Sequence, residues 1–112
     1  MGKGSFLGEF EQVVLLSVAQ LGEAGYGVTI RREIDRRTGR EVSIGAVYAT
    51  LSRLEEKGLA ASAPGDSEPR RGGRARRHYR LEPAGLRALQ ASRGMIDAMW
   101  HGLDSDGRPE SA

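Results

Sequence analysis

The stretch SIGAVYATLSRLEEKGL, residues 43–59, reads as a helix with two unlike sides. Ser43 is a good N-cap and Gly58 a good residue for the left-handed exit from a helix. At 100° per residue, Ile44, Val47, Leu51 and Leu54 fall on one side, which belongs in a core. The other side holds Gly45, Ala46, Ala49, Ser52, Arg53 and Glu56. Solvent faces usually carry Glu and Lys, so a face this bare suits close approach to another surface, and a DNA major groove is wide enough to admit a helix.

Two helices precede it. In FLGEFEQVVLLSVAQLG, residues 6–22, Phe10, Val13, Val14, Ser17, Val18 and Leu21 follow helical spacing, with Gly22 and Gly25 as a stop. In YGVTIRREIDRRTGR, residues 26–40, Ile30 and Ile34 lie one turn apart, and Arg31, Arg32, Asp35 and Arg36 supply the wet faces. After it, Leu59 to Ser62 and the alternating RHYRL of residues 77–81 predict a two-stranded hairpin with residues 64–76 at its tip. Tyr79 and Leu81 point inward, and the pair must pack on the helices to be stable. The tip and second strand contain RRGGRARRHYR, residues 70–80, with six arginines and no acid. Outside that window fifteen acidic residues outnumber eleven basic ones, although the net charge of the whole is +2. A local positive field on a mildly acidic molecule points to a polyanion met at one place.

Residues 83–103, PAGLRALQASRGMIDAMWHGL, predict a helix with Pro83 in its first turn. Leu86, Leu89, Arg93, Ile96, Trp100 and Leu103 form a near-heptad seam, with Ala88, Ala91, Met95 and Met99 alongside. That is more apolar surface than a small three-helix core can cover, so the expected partner is a second copy of the chain. The seam residues, with Met99, are the expected dimer interface. Arg93 either pairs with Asp97, crosses to the partner or lies at a solvated edge. Trp100 either packs in the dimer or lines a cleft for a flat hydrophobic effector. Residues 104–112, DSDGRPESA, are expected to be disordered.

With 112 residues, 38% hydrophobic and 29% charged, the chain has room for one ordinary folded unit. It contains no cysteine, which excludes disulfides and thiolate metal sites. Its apolar runs are too short to span a bilayer and no signal-peptide pattern opens it, so the expected setting is the cytoplasm. Its two histidines, His78 and His101, come with no nucleophile motif, metal-ligand spacing or phosphate-binding glycine loop. Neither catalysis nor a metal or other cofactor is expected.

Three helices followed by a hairpin is the winged helix-turn-helix layout, and the chain resembles the PadR-like transcriptional regulators over roughly residues 7–90. The resemblance rests on Tyr26-Gly27, on S-x-G-x-V-Y-x-x-L-x-R-L-E-x-x-G-L from Ser43 to Leu59, and on R-x-Y-x-L-x-P-A-G from Arg77 to Gly85. The single C-terminal helix is similar to the short subfamily. The resemblance implies an α+β, mainly helical fold: a DNA-binding unit over residues 1–82, a dimerisation helix over 83–103, and the tail. It also implies a homodimeric cytoplasmic repressor of double-stranded promoter or operator DNA, with its recognition helix at 43–57 and its wing at 59–81. Two departures stand out. Glu82 replaces the Thr or Ser that often caps the last helix, and the wing tip is long and rich in arginine.

Phosphate contacts are expected from Arg70, Arg71, Arg74, Arg76 and Arg77. Base or groove contacts are expected among Ser43, Gly45, Ala46, Ala49, Thr50 and Arg53, with Arg53 alternatively holding a phosphate or pairing with Glu56. Tyr48 and Tyr26 either offer hydroxyls to phosphates or are boundary core residues. The alternative for the whole chain is a winged helix whose basic loop binds an acidic protein; non-specific RNA binding is a third reading, weakened by the lack of exposed stacking aromatics.

Overall fold

A computed structural model describes residues 6–65 and 76–110 of the chain. Its elements are α1 (Glu9–Leu21), α2 (Gly27–Thr38), α3 (Ile44–Glu56), β1 (Ala60–Pro64), β2 (Arg77–Leu81) and α4 (Pro83–Trp100), with one 3-10 turn at Gly22–Ala24. The wing tip, with Arg70, Arg71 and Arg74, lies outside the described residues. Where the sequence predicts helix–helix–helix–hairpin–helix, that order is present.

Each helix begins and ends for a local reason. Ser43 accepts a hydrogen bond from the Ala46 amide at 3.0 Å and so caps α3. At the start of α1 the Glu11 carboxylate accepts from the Gly8 amide at 3.0 Å. At α2 the Thr29 hydroxyl accepts from the Tyr26 amide at 2.9 Å. Gly39 closes α2 with φ 72°, and Gly58 leaves α3 with φ 76°. Glu82 makes no capping bond to α4, which starts instead with Pro83 in its first turn.

Val14, Leu15 and Val18 of α1, Ile30 and Ile34 of α2, and Val47, Leu51 and Leu54 of α3 are all at most 1% exposed. They form the three-helix core, where each such side chain contributes about 1.5–3 kcal/mol by leaving water. Ile44, expected on the core side, is 36% exposed because it sits in the first turn of α3, at the core's rim.

The hairpin is antiparallel, with Ala60 opposite Leu81 and Ser62 opposite Tyr79. Its first strand lies slightly later than the expected Leu59–Ser62, since Leu59 is used to receive α4. The Leu59 carbonyl accepts from the Glu82 amide at 3.0 Å. A Cβ on Gly85 would stand 2.2 Å from that same carbonyl oxygen, so only glycine lets α4 cross here. The first half of α4 then packs on the core: Leu89 is 7% exposed, and the buried Ser92 hydroxyl accepts from the Leu7 amide at 3.0 Å. Leu89 therefore packs into the chain's own core, which leaves less of it for the expected dimer seam. The helix keeps its outward side for Leu86 and Ile96, which are 46% and 48% exposed.

Two expectations at the C-terminus differ. α4 ends at Trp100, so Leu103 lies in a turn beyond it, where it bridges Pro109. The tail, expected to be disordered, is folded back through Glu110: the Asp104 amide donates to the Arg108 carbonyl at 2.8 Å and the Glu110 amide to the Gly102 carbonyl at 2.7 Å. Gly102 and Gly107, both at positive φ, permit that reversal.

The glycines give a paired test. Gly85→Ala should cost about 1–3 kcal/mol in urea unfolding, because the methyl group has to displace backbone. Gly45→Ala, with nothing within 4 Å of the new Cβ, should leave stability unchanged or raise it by about 0.5 kcal/mol. Equal effects would contradict the close crossing at Leu59.

Candidate nucleic-acid interface

On α3, Ser43, Gly45, Ala49, Ser52 and Arg53 are exposed and Ala46 is half-buried, so the outward face is as bare as the sequence implies. Thr50 is an exception. It is 2% exposed, lies one turn from Val47 and Leu54 on the inner side, and cannot reach a groove. Arg53 donates to the Thr50 hydroxyl at 3.2 Å and faces Glu11 of α1 at 3.8 Å, rather than Glu56. Lys57 donates to the same Glu11 carboxylate at 2.9 Å. Glu11 thus ties the last turns of α3 to the first turn of α1.

Burial works to raise the Glu11 carboxyl, but hydrogen bonds from Lys57 and the Gly8 amide, with the charges of Lys57 and Arg53, hold it below its ordinary value. On α2, hydrogen bonds from Arg37 and Arg36 do the same for Glu33.

Tyr48 is 44% exposed, and its hydroxyl crosses the backbone at Gly27, where a Cβ would stand 2.3 Å away. The Tyr26-Gly27 pair is explained by this crossing: Gly27 makes room for the tyrosine of α3. Tyr26 itself is half-buried and faces the wing. The Arg76 guanidinium stands 4.9 Å from the centre of its ring, and His78 meets the ring edge-on at 5.7 Å. The ring nitrogen Nε2 of His78 is 3.1 Å from the Gly22 carbonyl oxygen.

The wing is held from several sides. Tyr79 is 5% exposed, and its amide donates to the Gly25 carbonyl at 2.8 Å. Arg77 donates to the Ser62 hydroxyl at 3.1 Å, and Ser62 donates to Glu55 of α3 at 2.6 Å. Arg76 and Arg77 therefore emerge beside Tyr48, and together with Tyr26, Thr29 and Arg32 these residues line a cleft of about 270 Å³. Among the described residues its lining includes no carboxylate. The structure thus brings together the start of α2, the tyrosine of α3 and the base of the wing. Arg32 was missed as a site residue. The only sequence signal is its place one turn after Val28, and α2 carries other arginines that are equally polar in sequence.

The PadR-like family of transcriptional regulators matches the chain over residues 15–91. This chain belongs to that family. Among similar proteins, Transcriptional regulator Rv3488 of Mycobacterium tuberculosis is 39% identical over 74 residues, covering 66% of this chain and 64% of the relative, so the match spans less than two thirds of that protein. Similar solved structures include the PadR family transcriptional regulator of Eggerthella lenta, 27% identical with TM-score 0.66, covering 84% of this chain and 81% of that one. RosR of H. salinarum is 29% identical with TM-score 0.65, covering 89% and 82%. The four helices and two-stranded antiparallel sheet match the winged-helix architecture of PadR neighbours such as that of Eggerthella lenta. Among the described residues, no single helix is long and apolar enough to cross a membrane, and no three His, Asp or Glu side chains cluster as metal ligands.

Because the folded carboxyl of Glu11 lies below its unfolded value of about 4.3, its contribution is full above that pH and is lost as pH falls through the folded value. Glu11→Gln should cost on the order of 1 kcal/mol at pH 7 and narrow the gap between urea midpoints at pH 7 and pH 3. An unchanged gap would show that Glu11 does not hold α3.

Proposed function

We propose that the chain is a homodimeric repressor that binds double-stranded promoter or operator DNA in the cytoplasm. In this reading α3 enters the major groove, with Ser43, Gly45, Ala46 and Ala49 nearest the bases, where small side chains allow apolar contact with thymine methyl groups. Arg76 and Arg77, and beyond them Arg70, Arg71 and Arg74, follow the phosphate backbone. Tyr26 and Tyr48 flank the cleft between them. Arg53, occupied by Glu11, reaches a phosphate at the edge of the footprint if it leaves that carboxylate. The observation that carries the reading is spatial: the bare face of α3 and Arg76 and Arg77 of the wing adjoin through Tyr48. A repressor role follows from occupancy, since a protein seated on a promoter excludes polymerase.

The second copy is supported by what α4 leaves uncovered. Leu86, Ile96, Met99 and Trp100 are 46%, 48%, 74% and 64% exposed, and Leu16 of α1 joins them at 48%. Leu16, Leu86 and Ile96 border an apolar groove of about 510 Å³ between α1 and α4. Arg93, 3.6 Å from Asp97 on the same helix, lies at its rim. Pairing along α4 covers this surface and sets two α3 helices in successive grooves, with half-site centres about 34–36 Å apart. Leu103, at 36% exposure just past α4, extends the same seam. Trp100, on the seam, offers an indole surface on which a small hydrophobic effector can stack.

Two outcomes are expected. Arg76→Ala with Arg77→Ala should weaken binding to every duplex and flatten the log–log salt slope by about 0.9 for each phosphate that is no longer neutralised. An unchanged slope would remove these arginines from the backbone. Leu86→Asp with Ile96→Asp should sediment as a folded monomer in ultracentrifugation and lose operator affinity; a variant that stays dimeric would overturn the seam.

A further inference from the structure

We infer that Arg32 is a DNA-contacting residue which, with Arg76, holds one backbone phosphodiester in the cleft at the start of α2. The inference rests on the proposed interface and assigns that cleft its ligand. Three guanidinium groups, those of Arg32, Arg76 and Arg77, border one recess of about 270 Å³, and no carboxylate lines it among the described residues. Convergent like charges raise the local potential and favour an anion between them. Arg36 and Arg37 of α2 both bond Glu33. Arg32 has no ion-pair partner among the described residues.

The recess is also arranged for an oxyanion. The Tyr26 ring holds the Arg76 guanidinium 4.9 Å from its centre, and His78 supports that ring from the edge, so Arg76 is oriented before a ligand arrives. The Thr29 hydroxyl, also in the lining, stands 3.0 Å from the Tyr26 carbonyl oxygen. The first amides of α2 have no acceptor within the helix and add their partial positive charge to the three guanidiniums.

The ligand is a duplex phosphate because of where the cleft lies. Tyr48 belongs both to its wall and to α3. A strand bordering the groove that receives α3 passes over this point, and a phosphate held from α2 on one side and the wing on the other fixes how α3 is seated. Arg31 gives the contrast. Among the described residues it lines the neighbouring cleft with Asp35 and Glu41 but not the recess, whereas Arg32 borders both.

The test compares the intact protein with Arg32→Ala and Arg31→Ala on a random-sequence duplex, by fluorescence anisotropy between 50 and 200 mM salt. Arg32→Ala should flatten the log–log salt slope by about one unit, and Arg31→Ala should keep the parent slope. Both residues are exposed, so circular dichroism should show both variants folded. If the parent binds but Arg32→Ala keeps its slope, the phosphate site is overturned while the interface stands. Equal losses in the two variants would mean a diffuse field from α2 and would overturn it as well. If the parent binds no duplex, the interface itself fails and this site with it.

Discussion

Two strands of five residues have too little surface to hold together alone in water, so the wing depends on Tyr79. Its ring enters the helical core, and its amide bonds the Gly25 carbonyl in the turn between α1 and α2. That one residue fixes the hairpin against two helices at once. Alternation along β2 then places His78 against the Tyr26 ring. Arg76 and Arg77, which follow from this placement, are positioned by Tyr26 and by the Ser62–Glu55 chain. The end of β2 brings Glu82 to the Leu59 carbonyl, and Gly85 lets α4 begin there. The cationic cleft and the direction of α4 both descend from how the wing is anchored.

Alongside it stands the asymmetry of α3. One side is buried to within 1% of completely at Val47, Leu51 and Leu54, while the other is stripped of long side chains. Burial supplies the stability, so the outer face is released from that duty and can stay small. Tyr48 lies between the two sides, and Gly27 gives up a side chain to receive it. Glu11 closes the far end by holding Lys57 and Arg53 to α1. The helix is thereby fixed at both ends relative to the rest of the chain, as a helix presented to a rigid, grooved partner has to be.

Much of this was legible in the sequence, for specific reasons. Periodicity gave α1 to α4, because their inner residues recur at helical spacing and their ends carry Ser43, Gly39 and Gly58. The alternation of RHYRL gave β2 and its inward tyrosine. Misreadings arose where a residue's neighbours come from elsewhere in the chain. Thr50 looks like a groove contact beside Ala49, yet it is nearly as deeply buried as Val47. Leu89 fits a heptad with Leu86 and Ile96, yet most of its side chain is taken up by the chain's own core. Arg53 finds Glu11 forty-two positions away in sequence rather than Glu56 nearby. Arg32 could not be singled out among the arginines of α2, since only the fold places it opposite the wing.

The central claim is that the bare face of α3, presented twice by a dimer, reads DNA sequence. Selection of bound duplexes from a random pool, followed by sequencing, tests it most directly. The account predicts enrichment of an inverted repeat with half-site centres about 10 base pairs apart, matching two recognition helices on one face of the duplex. A pool that stays unenriched after repeated rounds, while still binding in a salt-sensitive way, would contradict it and reduce the surface to a basic patch without readout.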